Sequence, residues 1–330
     1  MSEGRPLVSI CIPTYNSERF LAATLESIAA QSYPRVEVII GDNASADGTI
    51  GIAECFAARH GWRLLKNPLN LGPMGNWSRL VTEATGDYVA IYHADDLYHP
   101  DIVAESVTFL EREPEAGLVG TLGTVIDAGG RELHDIELPD GCHGTGCYSF
   151  PELFRAVLGN GGSRIFLVTP SVMVRRTIYS ELGTFDTSGR FASAADYEMW
   201  FRIGMRRPIG VIDRPLMRYR IHGGQGSENE LRRNLELPDM LEVLAAYADG
   251  IDDLELQIDY DRYRSRTFLK TALKQNCVGD FKRSSETVHL IRSGRYLPAG
   301  MLVAMANRLE VNLRYWPGRT WPNRLPAGGT

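Results

Sequence analysis

The sequence contains no apolar run of the roughly 18 residues or more that a membrane-crossing helix takes. Its first residues, MSEGRPLVSICIPTYN, lack the long apolar stretch of a signal peptide, so a cytoplasmic chain is expected. Cysteine is scarce: Cys11, Cys55, Cys142, Cys147 and Cys277 form an odd set with no framework spacing. That excludes a disulfide scaffold and suits a reducing compartment. Cys142, His143 and Cys147 fall short of a zinc site, because a fourth ligand and a second cysteine pair are missing; free thiols in a glycine-rich loop are the preferred reading. Positive charge is not in excess. With 35 Lys and Arg against 41 Asp and Glu the formal net charge is -6, so no nucleic-acid partner is expected, although a small basic pocket for a phosphorylated ligand stays compatible. Two phosphate-binding signatures are missing as well: no Gly-x-Gly-x-x-Gly follows the first apolar segment, and no Gly-Lys-Ser/Thr loop occurs. What the chain does have is 330 residues, 44% of them hydrophobic and 23% charged. That is enough for a large core and too apolar for bulk disorder.

Its N-terminal part alternates between two periods. Strands are expected at residues 7–12, 36–40, 62–65 and 87–92, and helices at 18–31, 47–59 and 76–85. Phe20, Leu21, Leu25 and Ile28 share one face of the first helix, with Ser17 as its cap. Strand and helix in this rhythm predict an α/β fold, a Rossmann-like, mostly parallel sheet flanked by helices. Such sheets bind ligands beyond the carboxyl ends of their strands, and polar clusters stand there: PTYN, GDNASADGT and HADD. Further on, a helix is expected to about residue 113, a strand at 118–125, a hairpin or long loop at 127–146, short elements at 151–158 and 165–174, a helix at 194–204 and a strand at 209–213. From 229 to about 310 the pattern is helical with a break near 249–253, followed by a Pro- and Gly-rich tail over 314–330.

The chemistry-bearing groups cluster at those strand ends. Asp95 and Asp96 are adjacent carboxylates that repel each other. A divalent cation with oxygen ligands would compensate; an Asp capping the helix that opens near Pro100 is the alternative, and explains only one of the two. Asp42, after VEVIIG, sits where a carboxylate can accept a base N–H or hold a ribose hydroxyl, while Asp47 reads as a helix cap. Asp196, at the start of AADYEMWFRIG, is either an N-cap or a base kept charged by the helix terminus. Asp196 and Glu198 do not share a helical face, so one is expected to enter a cleft and the other to meet solvent. His222 is a structural histidine or, beside a cation, a ligand. Arg218 and Arg220 alternate on one strand, so that one could face a phosphate and the other solvent. Trp77 and Trp200 are taken as core.

In combination these segments resemble the inverting family 2 glycosyltransferases, which have the GT-A fold. The matching pieces are VSICIPTYN, VEVIIGDNASADGT, NLGPMGNWSRLVTEATGDYVAIYHADD, AADYEMWFRIG and MRYRIHGGQGS, in the family's order over roughly residues 5–225. The resemblance implies a glycosyltransferase domain over 1–226, with a nucleotide-sugar half (1–100) and an acceptor half (101–226), then a helical segment over 227–313. It implies that Pro13, Thr14, Tyr15 and Asn16 line the nucleotide pocket, that Asp42 reads a uracil or thymine edge, and that Asn70, Gly72 and Asn76 shape the floor. His93, Ala94, Asp95 and Asp96 would hold the sugar nucleotide, with Mn2+ or Mg2+ on Asp95 and His222 nearby. Asp196 would be the catalytic base. Thr169, Pro170, Ser171 and Tyr197 would face the acceptor. The chain departs from the family's Asp-x-Asp-Asp at His93, and has Ala195 where a glutamate often precedes the base.

The implied partners are a UDP- or dTDP-sugar and a glycan, lipid-linked or small-molecule acceptor; a homodimer is compatible. Lys270, Lys274, Lys282, Arg283, Arg292 and Arg295 make either a peripheral membrane surface, an ordinary solvated face or a dimer contact. Two rival functions stay open on residue chemistry: a sugar nucleotidyltransferase, for which PTYNSERF supplies only Arg19 as a basic group, and a non-catalytic nucleotide-sugar-binding scaffold.

Overall fold

The structure, a computed structural model, describes residues 4–139, 142–159, 167–223 and 235–315. They fall into two compact units, one within Met1–His222 and one within Gly223–Thr330. The first is built on strands β1 (Val8–Thr14), β2 (Val36–Asp42), β3 (Arg63–Lys66), β4 (Tyr88–Ile91), β5 (Leu97–Tyr98), β6 (Leu118–Ile126), β7 (Glu132–Asp135), β8 (Gly146–Tyr148), β9 (Met173–Arg175) and β10 (Ile209–Arg220). Its helices are α1 (Glu18–Ala29), α2 (Thr49–His60), α3 (Gly72–Glu83), α4 (Ile102–Arg112), α5 (Phe150–Gly159), α6 (Arg176–Leu182) and α7 (Ala195–Gly204). The strand order is β3-β2-β1-β4-β9-β6-β10-β5, with β7 on β6 and β8 on β10.

The sheet is mixed; its longer ladders are parallel, as the alternation predicts, with β1, β2, β3 and β4 pairing in parallel and β10 parallel to β6, while β5, β7, β8 and β9 pair antiparallel. β1 is buried along almost its whole length, which is why it reads as a continuous apolar run. Short β9 is inserted antiparallel between β4 and β6. β5 and α6, like β9's place in the sheet, lie outside the sequence-based expectation. The region after Asp127 resolves into a hairpin, β7 returning on β6.

Register aligns the carboxyl ends: Thr14 closes β1 opposite Asp42 on β2, and Tyr92, just past β4, donates its amide to Cys11 O at 2.9 Å. Gly41 leaves room here for α3, since a Cβ would stand 2.9 Å from the Leu80 side chain. The cap of α1 differs from expectation. Ser17 makes no side-chain cap; its hydroxyl bonds Tyr15. Asp47 instead accepts the amides of both Glu18 (3.2 Å) and Thr49 (3.0 Å), serving α1 and α2 with one carboxylate.

The second unit is helical: α8 (Met240–Ala248), α9 (Leu254–Cys277), α10 (Phe281–Val288) and α11 (Leu297–Arg308). The break between α8 and α9 falls where the sequence places it, and Asp253 caps α9 through the amides of Glu255 and Leu256. α9, α10 and α11 are tied by buried polar groups, with Asn276 donating to Asn307 (2.8 Å) and Asn307 to Ser284 (2.9 Å). No helix of the described residues is long and apolar enough to cross a membrane. Residues 224–226 and 316–330, parts of the expected domain end and tail, lie outside the described residues.

Candidate active site

The carboxyl end of β1 forms one wall. Thr14 is buried, and its hydroxyl reaches Asp42 Oδ1 at 3.4 Å. Tyr15 is half exposed, and Asn16 takes a left-handed conformation (φ 49°) that asparagine tolerates better than most residues. Asn16 is locked there by its amide on Ser45 Oγ and by its Oδ1, which accepts the Ala46 N–H, both at 2.9 Å. Asp42 has no solvent exposure, and its Oδ2 accepts the Ser45 amide at 3.1 Å.

The floor is a network of four asparagines, only two of which the sequence reading singled out. Asn43 donates to Asn70 (2.9 Å) and Gly72 O (3.2 Å), and accepts from Asn67 and the Leu71 amide. Asn67 also donates to Asn76 (3.0 Å), and Asn76 to Gly41 O (2.8 Å). Gly72 has φ 73°, which suits glycine at the sharp entry to α3. Asn76 is thus buried beneath the floor, binding α3 to the end of β2. Asn43 and Asn67 escaped notice because asparagine in a loop usually reports only a turn.

Beyond β4 the chain presents His93, buried Ala94, Asp95 and Asp96. Asp95 Oδ2 lies 3.0 Å from His222 Nε2. Burial alone would raise the Asp95 carboxyl, but the His222 hydrogen bond and the nearby charges of His93 and His222 hold it below the usual carboxylate range. Asp96 behaves oppositely. Burial, reinforced by the Asp95 charge, pushes it well above that range. The helix-cap reading of Asp96 fails: α4 begins further on with Asp101 as its N-cap, and Asp96 Oδ1 accepts the Arg220 amide on β10 at 2.8 Å. Asp96→Ala is therefore expected to leave that buried N–H unpaired and to cost about 1–3 kcal/mol in denaturant unfolding. Asp96→Asn keeps the acceptor and is expected to lose roughly 1 kcal/mol or less.

Arg220 is the buried one of the two strand arginines. Its Nε donates to Asp95 O (2.7 Å) and Nη1 to Asp127 O (3.3 Å), while the guanidinium stacks 4.7 Å from the Phe20 ring. Arg218 meets exposed Glu132. Phe20 is not the core residue its helical spacing suggests: it is a platform, with His222 packed on it at 4.7 Å. Phe20 and Arg220 together position the Asp95–His222 pair.

Asp196 lies in the first turn of α7. Its Oδ2 accepts the Thr169 hydroxyl at 2.6 Å and its Oδ1 the Tyr197 amide at 2.8 Å. Burial raises its carboxyl above the usual range, partly offset by those two hydrogen bonds and by His93. Glu198 does not meet solvent as expected. It is buried and paired with Arg202, which also anchors Leu182 O and Thr184 O. Ser171 is buried with its hydroxyl spent on Thr121 O and Val168 O, and Pro170 is buried beside it. Tyr197 donates to Leu167 O at 3.1 Å. Ala195 is buried at the helix start. Residues 141 and 160–166, within the stretch expected to shape the acceptor side, lie outside the described residues.

His93 connects the two carboxylate regions. Burial holds its imidazole below the ordinary histidine value, against the pull of both Asp95 and Asp196. Its ring packs 5.1 Å from Trp77, Trp77 meets Phe185 at 5.3 Å, and Phe185 meets Trp200 at 5.8 Å. The Trp200 indole N–H donates to Thr169 Oγ1 at 3.3 Å, closing a chain back to Asp196. Trp77 and Trp200 are buried, as the core reading expects, and the aromatic chain they belong to runs between the two halves of the site.

A family model, Glycosyl transferase family 2, matches residues 9–183. The chain is 32% identical over 215 residues to the putative glycosyltransferase EpsE of Bacillus subtilis, an alignment covering 61% of this chain and 68% of that protein. Among solved structures it is similar to residues 1–349 of S. aureus TarS in complex with UDP, with a TM-score of 0.62, 16% identity and coverage of 92% and 91% of the two chains. It is similar also to the mannosyltransferase PcManGT from Pyrobaculum calidifontis in complex with GDP-Man and Mn2+ (TM-score 0.57, 21% identity, coverage 96% and 83%). At these identities the structural likeness speaks for the fold.

Proposed function

The chain belongs to glycosyl transferase family 2, and from that premise we propose that it is an inverting, metal-dependent enzyme moving a sugar from a nucleoside diphosphate to an acceptor hydroxyl. The observation that carries this reading is the chain of contacts from His93, beside Asp95, through Trp77, Phe185 and Trp200 to Thr169 and the Asp196 carboxylate. The leaving-group side and the base side of an in-line displacement need opposed carboxylates over one cleft, and Asp95 and Asp196 are the pair that this chain of contacts joins.

The residues fit a divalent cation. Ligand atoms of His93, Asp95 and Asp96 lie within 4.8 Å of one another. Two buried polar atoms in this group, His93 Nε2 and Asp96 Oδ2, have no hydrogen-bond partner among the described residues. Carboxylate oxygen with imidazole nitrogen suits Mn2+, and carboxylate alone Mg2+. Asp95 would hold the ion, with His222 or His93 alongside. Bound there, a cation supplies positive charge to the departing diphosphate.

The chain's own groups do the rest. Thr14, Tyr15, Asn16 and the asparagine floor seat the nucleotide. Asp42 accepts the imide N–H of a uracil or thymine once the turn over it gives way, which favours UDP- or dTDP-sugars. Asp196 takes the acceptor hydroxyl proton, and its raised affinity for protons matches that task. Inversion follows from a single displacement; retention by way of a glycosyl-enzyme would need a nucleophile on the sugar's opposite face. The acceptor is a glycan, a lipid-linked sugar or a small molecule.

The test is calorimetric binding of UDP, dTDP and GDP with Mn2+, followed by nucleoside diphosphate release from the bound donor with an acceptor mixture. Release with an inverted anomeric product is expected. Pyrophosphate production from a nucleoside triphosphate and a sugar 1-phosphate would establish the nucleotidyltransferase instead, and donor binding without any turnover would establish the scaffold.

A further inference from the structure

The C-terminal helical unit exposes an apolar stripe that the transfer chemistry does not use. On α11, Gly300, Val303, Ala306 and Asn307 face inward. The opposite face presents Leu297, Met301, Leu302 and Met305, continued by Leu309 just past the helix, with Met301, Leu302, Met305 and Leu309 each more than 60% exposed. Leu297, Met301, Met305 and Leu309 recur at the i+4 spacing that lines one side of a helix, and Leu302 widens the row. A contiguous row of large side chains in water is not the scattered exposure ordinary surfaces show.

The charge around the row is predominantly positive. Arg292 and Arg295 precede α11, and Arg308 and Arg314 follow its apolar row; all four are exposed. None of the four has an ion-pair partner among the described residues, whereas Arg283, earlier in the unit, is committed to Glu236 at 2.5 Å. Between residues 290 and 315 only Glu310 is acidic, in a chain whose overall net charge is -6. The sequence continues through 316–330 with two tryptophans, two arginines and no acidic residue. An apolar stripe bracketed by unpaired arginines in an otherwise acidic protein is complementary to one kind of surface: apolar at acyl-chain depth and negative at its headgroups.

We propose that α11 is a docking surface for anionic membranes, lying in the interface plane with Met301, Leu302 and Met305 among the acyl chains and Arg292, Arg295, Arg308 and Arg314 at the headgroups. This goes beyond the transfer reaction and does not depend on it. It changes the basic set suggested by the sequence, keeping Arg292 and Arg295, leaving out Lys270, Lys274, Lys282 and Arg283, and adding Arg308 and Arg314.

The test is co-sedimentation of the full chain with vesicles of phosphatidylcholine alone and of phosphatidylcholine mixed with phosphatidylglycerol. Binding is expected to the mixed vesicles, to weaken with added salt, and to be at least tenfold weaker on phosphatidylcholine alone. Met301→Glu/Met305→Glu is expected to lower the partition coefficient roughly a hundredfold, since two side chains no longer leave water. Both positions are exposed, so folding should survive, and circular dichroism checks this; Arg292→Gln/Arg308→Gln, which leaves the stripe intact, is expected to lose the preference for anionic vesicles. Equal binding by wild type and the glutamate variant overturns the proposal. So does a wild type that is dimeric by sedimentation velocity without lipid and becomes monomeric in the glutamate variant, because the stripe would then be a self-association face. Equal affinity for both vesicle types overturns the electrostatic half.

Discussion

Asp196→Asn is expected to lower the transfer rate by about a hundred- to ten-thousandfold while leaving affinity for the donor nucleotide close to wild type. The carboxylate is held from two sides, by the Thr169 hydroxyl at 2.6 Å and the Tyr197 amide at 2.8 Å, and Thr169 is itself held by the Trp200 indole. Asparagine keeps an acceptor for one of these bonds, gives up the second acceptor and the negative charge, and cannot take a proton. The same site sets a pH signature. Burial raises the Asp196 carboxyl above the usual range, and a base works only when ionised, so kcat/KM should fall as the pH drops through that raised value, at a higher pH than an ordinary aspartate would give. Thr169→Val removes one of the hydrogen bonds that favour the ionised form, so its acid limb should move further up in pH. The limb should be missing from the residual rate of Asp196→Asn. Turnover unchanged in Asp196→Asn, or an acid limb unmoved in Thr169→Val, would remove Asp196 from the role of base.

Much of this site was legible because its parts stand where α/β chemistry puts them. Apolar runs at β1, β2 and β4 end in PTYN, GDN and HADD, and parallel pairing aligns those ends without further information. The motif resemblance named Asp95, Asp196 and His222, and the structure brings Asp95 to 3.0 Å from His222. Three of the hidden features, Arg220, Phe20 and β9, depended on a partner far along the chain. Arg220 looks like a surface arginine on an alternating strand, yet Asp95 O, Asp127 O and the Phe20 ring meet it only after β10 has docked. Phe20 has core spacing within α1 but lies at the edge, where His222 arrives from the far end of the unit. β9 is three residues long, and nothing local says that it separates β4 from β6. Glu198 was misjudged because helical periodicity gives a direction and not what waits there, in this case Arg202 with two carbonyls already bound.

Asp95→Ala is expected to abolish the gain in UDP affinity that Mn2+ gives the wild-type chain, a loss of about 2 kcal/mol or more, or roughly thirtyfold in Kd. The substitution is well suited to isolating the carboxylate. The loop is anchored through the Asp95 carbonyl, which accepts Arg220 Nε at 2.7 Å, and through Asp96 on the Arg220 amide, and neither contact uses the Asp95 side chain. His222→Ala removes the group that pairs with Asp95 while leaving the carboxylate in place. Phe20 still supports Arg220 in that variant, so a smaller loss of the Mn2+ effect is expected than in Asp95→Ala. The order of the two variants discriminates between a carboxylate that holds the ion and a carboxylate–imidazole pair that merely closes the end of β10. If Asp95 holds the ion, titration of UDP with and without Mn2+ gives equal affinities in Asp95→Ala and a reduced difference in His222→Ala. If the pair is only structural, Mn2+ raises UDP affinity as much in Asp95→Ala as in wild type, and the two variants differ in thermal stability alone.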